Sequence, residues 1–263
     1  MYRVSTIFRD CVSAIRDGIL ITRQSEDDKE FHFQNWFKGR LDTLQLQYHP
    51  TKRNTYPDFR LKELNEGYEL KGLQYPGRWT SYDSNSQVPR GEHNGEQVFY
   101  VFGRYPKKPD GNSYQVEDLV VCHGSFLNAN SDYVHKNKSF KGFGSYGDIL
   151  VRDRKMYVAP TPFAVANGLA HRRTLILPAE MKPESDMVEV GQITRKEVAD
   201  LIISYSFDLK TNVLETKTAE NPNAGRIHEF KAYRVPGDPA EKVEGRSRGE
   251  IIDSMSQELA EDS

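Results

Sequence analysis

The chain has few cysteines, no long apolar run and almost no net charge, and each shortage excludes a class of protein. The two cysteines in 263 residues, Cys11 and Cys122, give neither a disulfide framework nor the paired spacing of a structural zinc site. Residues 1–19 contain five charged side chains, so they lack the apolar core of a signal peptide, and no later run could span a membrane. We therefore expect a soluble, cytoplasmic protein with no membrane partner.

The formal net charge of −2 is low for a protein that neutralises nucleic-acid phosphates with Lys and Arg. The charges, however, are unevenly distributed. Residues 134–175 contain eight Lys or Arg against two acids, whereas residues 236–263 contain eight acids against three basic residues. A basic middle and an acidic tail can average to near neutrality while the folded surface keeps a positive cleft. A solvated charged face without a partner explains the same pattern equally well.

Hydrophobic periodicity predicts two helices followed by short strands and turns. We expect an α/β fold with a mixed central β-sheet flanked by helices, in one large domain over residues 1–235, followed by an acidic C-terminal tail with a short helix over residues 236–263. The predicted helices cover residues 6–19, 25–44, 162–170, 195–205 (capped by Thr194) and 251–259; the predicted hairpins combine residues 55–61 with 68–73 and 149–151 with 156–158; two further strands cover 98–105 and 118–122.

The first predicted hairpin contains the sharpest chemical signal of the chain. Asp58 belongs to its first strand, and Glu69 and Lys71 share one face of the second strand because they are two residues apart. Antiparallel pairing can bring the two carboxylates together with the carbonyl of Leu70, which are the hard oxygen ligands that Mg²⁺ prefers. Lys71 would orient or help to deprotonate an attacking water and stabilise transition-state charge.

The arrangement Pro57-Asp58, ten intervening residues, then Glu69-Leu70-Lys71 resembles the active-site motif of the PD-(D/E)XK nuclease superfamily. The resemblance covers residues 56–73, and the composition is similar to that of type II restriction endonucleases. It implies a sequence-specific endonuclease that hydrolyses double-stranded DNA with Mg²⁺, held by Asp58, Glu69 and the Leu70 carbonyl, with Lys71 as catalytic lysine. It also implies a homodimer, because two-fold symmetry matches a palindromic site.

The helix before the hairpin contains two further candidates for catalysis. Glu30 and Gln34 extend the apolar stripe of Phe37, Leu41 and Leu44 at helical spacing. The alternative is that Glu30 simply lies at the exposed start of the helix and has no catalytic role. Many enzymes of the superfamily present a helical Glu to the metal site, so the resemblance implies that Glu30 is a ligand or positions water, with Gln34 behind it.

The segment after Lys71 is rich in groups that can bind base edges and phosphates. Arg can contact guanine, and Asn or Gln can contact adenine, in bidentate fashion. Good turn formers would also account for part of this composition. Arg172 and Arg173 could contact phosphates or, equally, stabilise a helix C-terminus. The expected DNA-binding residues are Gln74, Arg78, Asp83, Asn85, Ser86, Gln87, Arg90, His93, Arg172 and Arg173.

Two other signals carry less weight. Residues 142–147 match a GxGxxG string, but they precede a strand instead of opening a helix, so no nucleotide cofactor is expected. His123, Asn128 and His135 do not have the spacing of a compact ββ-metal nuclease site. The alternatives to a restriction-like enzyme are a structure-specific or modification-dependent repair nuclease of the same fold, a non-catalytic DNA-binding module, and a protein that binds another polyanion.

Overall fold

The structure is a computed structural model, and it describes most of the first 238 residues. The described residues are 2–23, 32–49, 55–75, 82–83, 89–106, 112–129, 140–143, 146, 149–152, 155–158, 173–183, 186–208, 210–211 and 213–238. A search of the helices in these ranges finds none that combines the length and the apolar character needed to cross a membrane.

The described residues form two α-helices, a 3₁₀ turn and sixteen strands. The helices are α1 (Val4–Arg16) and α2 (His32–Thr43), and the 3₁₀ turn covers Gly124–Phe126. The strands are β1 (Ile21–Thr22), β2 (Phe59–Arg60), β3 (Glu66–Tyr75), β4 (Tyr82–Asp83), β5 (Glu92–His93), β6 (Glu96–Pro106), β7 (Ser113–Tyr114), β8 (Asp118–His123), β9 (Phe140–Phe143), β10 (Ile149–Arg152), β11 (Lys155–Val158), β12 (Arg173–Pro178), β13 (Val188–Lys196), β14 (Asp200–Asp208), β15 (Val213–Glu220) and β16 (Ile227–Arg234).

The largest sheet has eight strands and mixed direction. Seven of them follow the order β13, β16, β12, β8, β6, β3, β2, and β5 pairs with the start of β6. The pairs β3–β6 and β8–β12 are parallel, and the other pairs are antiparallel. The last described strand, β16, lies inside this sheet between β12 and β13. The mixed α/β class expected from the sequence is therefore confirmed.

The predicted elements of the N-terminal half agree with the structure. The helices over 6–19 and 25–44 correspond to α1 and α2, although residues 24–31 lie outside the described part. The hairpin of 55–61 with 68–73 corresponds to β2 and β3, and the strands over 98–105 and 118–122 correspond to β6 and β8. The second hairpin is formed by β10 and β11.

One predicted helix is wrong. Residues 195–205, which Thr194 was expected to cap, contain the end of β13 and the start of β14. β14 pairs along its whole length with the next strand, β15, so hairpin pairing overrides the helical spacing of Leu201, Ile202 and Tyr205. The predicted helices over 162–170 and 251–259, and all of the predicted tail after residue 238, lie outside the described residues.

The two faces of the large sheet bury two separate hydrophobic clusters. Alternate residues of each strand belong to alternate clusters: Tyr68 and Leu70 of β3 join the first cluster, and Leu73 joins the second. The first cluster contains the apolar residues of α1 and α2, whereas the second contains residues of neither. Both α-helices of the described part therefore cover the same face of the sheet.

Glu66, at the start of β3, ties α1 to this sheet. Its buried carboxylate accepts hydrogen bonds from the backbone N–H of Arg3 at 2.7 Å and from the Tyr68 hydroxyl at 2.6 Å. The N-cap residue of α1 is Arg3, which supplies no side-chain cap. A strand carboxylate thus accepts the N–H of the N-cap residue, the contact that the acidic residue of a capping box makes.

Two glycines let α2 approach β3 closely. Gly72 and Gly103 are register partners across the parallel pair β3–β6. A Cβ atom at Gly103 would lie 2.2 Å from the Phe33 ring, and one at Gly72 would lie 3.3 Å from Phe33 Cβ. Phe33 of α2 therefore packs over a pair of positions without side chains, and the next residue of the helix, Gln34, is held near the hairpin.

Candidate active site

The hairpin brings Asp58 to Glu69, as the sequence predicts, but Asp58 lies immediately before β2 instead of within it. The pair Phe59–Tyr68 fixes the register, which places Asp58 opposite Glu69. The Leu70 N–H donates to Asp58 Oδ2 at 2.8 Å, and the Asp58 N–H donates to Glu69 Oε2 at 3.3 Å. Two backbone amides thus fix the relative position of the two carboxylates.

Lys71 joins these carboxylates through Glu69. Its Nζ lies 2.6 Å from Glu69 Oε1, and both residues are less than a tenth exposed. Glu69 and Lys71 alternate with Tyr68 and Leu70, so they leave β3 on the face opposite to the helices. A lysine in this position is desolvated and held by a carboxylate, which orients its ammonium group.

Gln34 completes the cluster from α2. Its Nε2 donates to Asp58 Oδ1 at 3.0 Å. The structure therefore brings together four of the predicted catalytic residues, from three elements of the chain. Glu30, the remaining predicted catalytic residue, lies outside the described residues. We call Gln34, Asp58, Glu69 and Lys71 the carboxylate cluster.

The electrostatics of the cluster show an excess of negative charge. Burial, together with the charge of Glu69, raises the pKa of Asp58 from its usual value to about 7. The Leu70 N–H, the Lys71 ammonium and the Gln34 amide oppose this rise. Burial and the charge of Glu69 thus disfavour the ionised form of Asp58, and a cation that contacted both carboxylates would stabilise that form.

The donor set fits magnesium better than zinc. Among the described residues there is no group of three or more His, Cys, Asp or Glu side chains that could hold a metal. Zinc sites take three or four such ligands, whereas Mg²⁺ is usually bound by one or two carboxylates with water and phosphate oxygens. The four oxygens of Asp58 and Glu69 each accept one hydrogen bond, and each keeps a second lone pair. The use of the Leu70 carbonyl as a ligand stays a prediction.

Hydroxyl groups that sequence reasoning missed lie beside the carboxylate cluster. Tyr100 of β6 is the register partner of Glu69, and its hydroxyl lies 2.8 Å from that of Tyr56. Tyr100 lies within a run of apolar residues, which predicts only a buried strand. The spacing of Tyr56, two residues before Asp58, is the signal that could have identified it.

An ion pair that the sequence did not predict lies next to the same hairpin. Arg60 of β2 binds Glu96 through two hydrogen bonds, Nε to Oε2 at 2.7 Å and Nη2 to Oε1 at 2.6 Å. Such a fork holds the guanidinium in one plane. It fixes the start of β6 to β2 across the intervening strand β3.

The structure describes five of the ten predicted DNA-binding residues. Gln74 lies in β3, His93 in β5 and Arg90 just before β5. Asp83 lies in β4, where its backbone pairs with that of Tyr157. Arg173 is the first residue of β12 and forms an ion pair with Asp238, so its charge is paired within the protein. The five outside the described residues are Arg78, Asn85, Ser86, Gln87 and Arg172.

A four-stranded sheet joins the predicted DNA-binding segment to the basic segment. Its order is β4, β11, β10, β9, where β4 belongs to the segment after Lys71 and the other three strands belong to residues 134–175. β4 also contacts β3. The backbone therefore links the basic middle of the chain to the strand that contains Glu69 and Lys71.

The weaker signals have ordinary protein contacts where the structure describes them. His123 contacts Ser125 Oγ through Nδ1 at 2.6 Å and Gln97 Oε1 through Nε2 at 3.0 Å. Asn128 donates to the Pro89 carbonyl at 3.3 Å. His135 and much of the glycine string 142–147 lie outside the described residues.

Comparisons of the chain with protein-family models, with curated proteins and with solved structures gave no match.

Proposed function

We propose that this protein is a Mg²⁺-dependent endonuclease that hydrolyses phosphodiester bonds of double-stranded DNA at the carboxylate cluster. The observation that carries the proposal is the convergence of Asp58, Glu69, Lys71 and Gln34, which are hydrogen-bonded to one another from α2, the residues before β2, and β3. Two carboxylates and a lysine with these contacts are the groups that metal-assisted phosphoryl transfer needs.

Each side chain has a defined task in this reaction. When bound, Mg²⁺ would neutralise phosphate charge and polarise the scissile bond. Asp58 and Glu69 would hold the ion, and the Leu70 N–H and Gln34 amide keep Asp58 in place. Lys71, already held by Glu69, would orient the attacking water and stabilise charge on the phosphate oxygens.

We further propose that cleavage is sequence-specific and that the fold is of the restriction-endonuclease type. Support comes from the four-stranded sheet, in which β4 of the predicted DNA-binding segment pairs with β11 of the basic segment, residues 134–175. A basic surface holds the phosphate backbone, and neighbouring polar side chains read base edges. A homodimer would deliver one active site to each strand of a palindrome.

The test is digestion of a long unmethylated duplex DNA with Mg²⁺ by wild-type protein and by Lys71→Ala and Asp58→Ala variants. Lys62→Ala is the matched control, because Lys62 is an exposed lysine in the turn of the same hairpin. We expect discrete fragments from wild type and from Lys62→Ala, and a loss of at least about a hundredfold in rate from the other two variants. Circular dichroism confirms that all four proteins fold.

The results separate the alternatives. Equal cleavage by wild type and Lys71→Ala would show that the carboxylate cluster is not the active site. Cleavage only of branched or modified DNA would indicate a repair nuclease. Binding of duplex DNA without cleavage under any condition would indicate a non-catalytic DNA-binding module. Light scattering of the protein with a palindromic duplex tests the expected dimer.

A further inference from the structure

Tyr56 and Tyr100 form a hydroxyl pair that borders the carboxylate cluster. Tyr56 precedes Asp58 by two residues, and Tyr100 is the register partner of Glu69 on the neighbouring strand. Their Oη atoms lie 2.8 Å apart. The side chain of Tyr56 packs against the hydrophobic cluster on the same face as Glu69 and Lys71.

The burial of Tyr100 determines the direction of this hydrogen bond. Tyr100 is 1% exposed, so its hydroxyl proton needs an acceptor within the protein. Its oxygen accepts a hydrogen bond from the Arg90 backbone N–H, and the acceptor within reach of its proton is Tyr56 Oη. Tyr100 therefore donates to Tyr56, and the proton of Tyr56 must point elsewhere.

The Tyr56 proton has no acceptor among the residues that the structure describes. Tyr56 is half-buried, and its ring edge packs against His93 with 4.9 Å between ring centroids. A tyrosine hydroxyl carries its proton at neutral pH. A fixed hydroxyl that finds no acceptor within the described ranges has its proton available for a ligand.

We propose that the Tyr56 hydroxyl donates a hydrogen bond to a non-bridging oxygen of the scissile phosphate, with Tyr100 as the residue that positions it. This inference rests on the proposed nuclease function and adds a substrate-binding residue to it. Phosphate oxygens are strong acceptors for neutral hydroxyl donors. Arg90 lies beside the hydroxyl pair, since its backbone N–H donates to Tyr100 Oη.

The experiment compares single-turnover cleavage and DNA binding by four proteins. Wild type, Tyr56→Phe, Lys71→Ala and the control Tyr48→Phe are assayed with Mg²⁺ for cleavage and with Ca²⁺ for binding. The control removes a hydroxyl that donates to Asp42 Oδ1 at 2.8 Å. We expect Tyr56→Phe to cleave about ten- to a hundredfold more slowly, the loss for a hydrogen bond to a charged group, and Tyr48→Phe to match wild type.

A change in the substrate distinguishes contact with phosphate from a structural role. Sulfur is a weaker acceptor than oxygen, so replacing one non-bridging oxygen of the scissile phosphate with sulfur removes the partner of Tyr56. For one phosphorothioate isomer, wild type should slow down while Tyr56→Phe slows less, so that their ratio falls towards one. A structural role predicts the same ratio for both substrates.

The outcomes separate this inference from the proposed function. If wild type and Tyr56→Phe cleave at the same rate and Lys71→Ala is inactive, the role of Tyr56 is overturned and the proposed nuclease function is supported. A constant rate ratio between the oxygen and sulfur substrates would also overturn it. The absence of cleavage by wild type on every DNA would overturn both proposals.

Discussion

At the scale of single residues, sequence spacing predicts most of the carboxylate cluster but not the contacts around it. The spacing of Glu69 and Lys71 predicts that both leave one face of β3, and the hairpin signal places Asp58 opposite them. Gln34 follows from helical periodicity. The hydroxyl pair of Tyr56 and Tyr100 could not be predicted, because it depends on the parallel register of β3 with β6, which no local pattern encodes.

The buried His123 predicts a pH dependence of stability. Burial lowers the pKa of His123 to about 4, below the value of about 6.5 for an exposed histidine. The unfolded chain therefore takes up a proton between pH 6.5 and pH 4 while the folded protein does not, and the free energy of unfolding falls as the pH falls through this window. We expect His123 to contribute on the order of 2–3 kcal/mol to this loss.

The measurement is urea denaturation of wild type, His123→Asn and the exposed control His49→Asn between pH 7 and pH 4. His123→Asn should be less stable than wild type at pH 7, and the difference should shrink towards pH 4. His49→Asn should follow wild type at each pH. An unchanged gap between wild type and His123→Asn would show that folding does not lower the pKa of His123.

At the scale of elements, local signals predict those whose partners are close in sequence. α1, α2 and the hairpin of β2 with β3 follow from helical spacing and from a turn between aromatic strands. The segment around Leu201 has both helical spacing and β-branched residues, and the strand wins because β15 supplies a partner over its whole length. β15 begins only five residues after β14 ends, but the helical spacing of the segment hides this hairpin, which explains why the assignment failed.

The contact between α2 and β3 gives a prediction at the same scale. A methyl group at Gly103 would overlap the Phe33 ring, so Gly103→Ala should lower the free energy of unfolding by about 1–3 kcal/mol. Gly39 of α2 is the matched control, since a Cβ there meets nothing within 4 Å and its φ is not positive. Gly39→Ala should raise the free energy of unfolding by about 0.5–1 kcal/mol.

Urea denaturation of both glycine variants provides the measurement. The urea concentration at the unfolding midpoint should fall for Gly103→Ala and rise for Gly39→Ala. In the double variant Gly103→Ala with Phe33→Leu, removal of the ring should recover part of the lost stability. If Gly103→Ala were as stable as wild type, the helix would not lie as close to the strand as described.

At the scale of the whole molecule, the distribution of charge matters more than the sum of −2. If the basic segment over residues 134–175 binds the phosphate backbone, then DNA binding releases counterions and weakens with salt. With about five phosphate contacts, the affinity for duplex DNA in Ca²⁺ should fall by roughly a hundredfold or more between 50 and 200 mM salt.

Fluorescence anisotropy with a labelled duplex measures this dependence. A variant with Lys136, Lys138 and Lys141 replaced by Gln should bind more weakly at low salt and show a shallower slope. Replacing Lys182, Lys196 and Lys210, which lie outside the basic segment, should leave the slope unchanged. Equal slopes for wild type and the first variant would place the DNA elsewhere on the surface.

The position of β16 affects the order in which the protein assembles during synthesis. This strand is the last one described in the chain, yet it separates β12 from β13 inside the large sheet. β13 therefore cannot dock until Ile227–Arg234 has left the ribosome, and until then β12 exposes an unpaired edge. Pairing over such sequence distances folds slowly, so the sheet that holds the carboxylate cluster is completed as one of the final steps of folding.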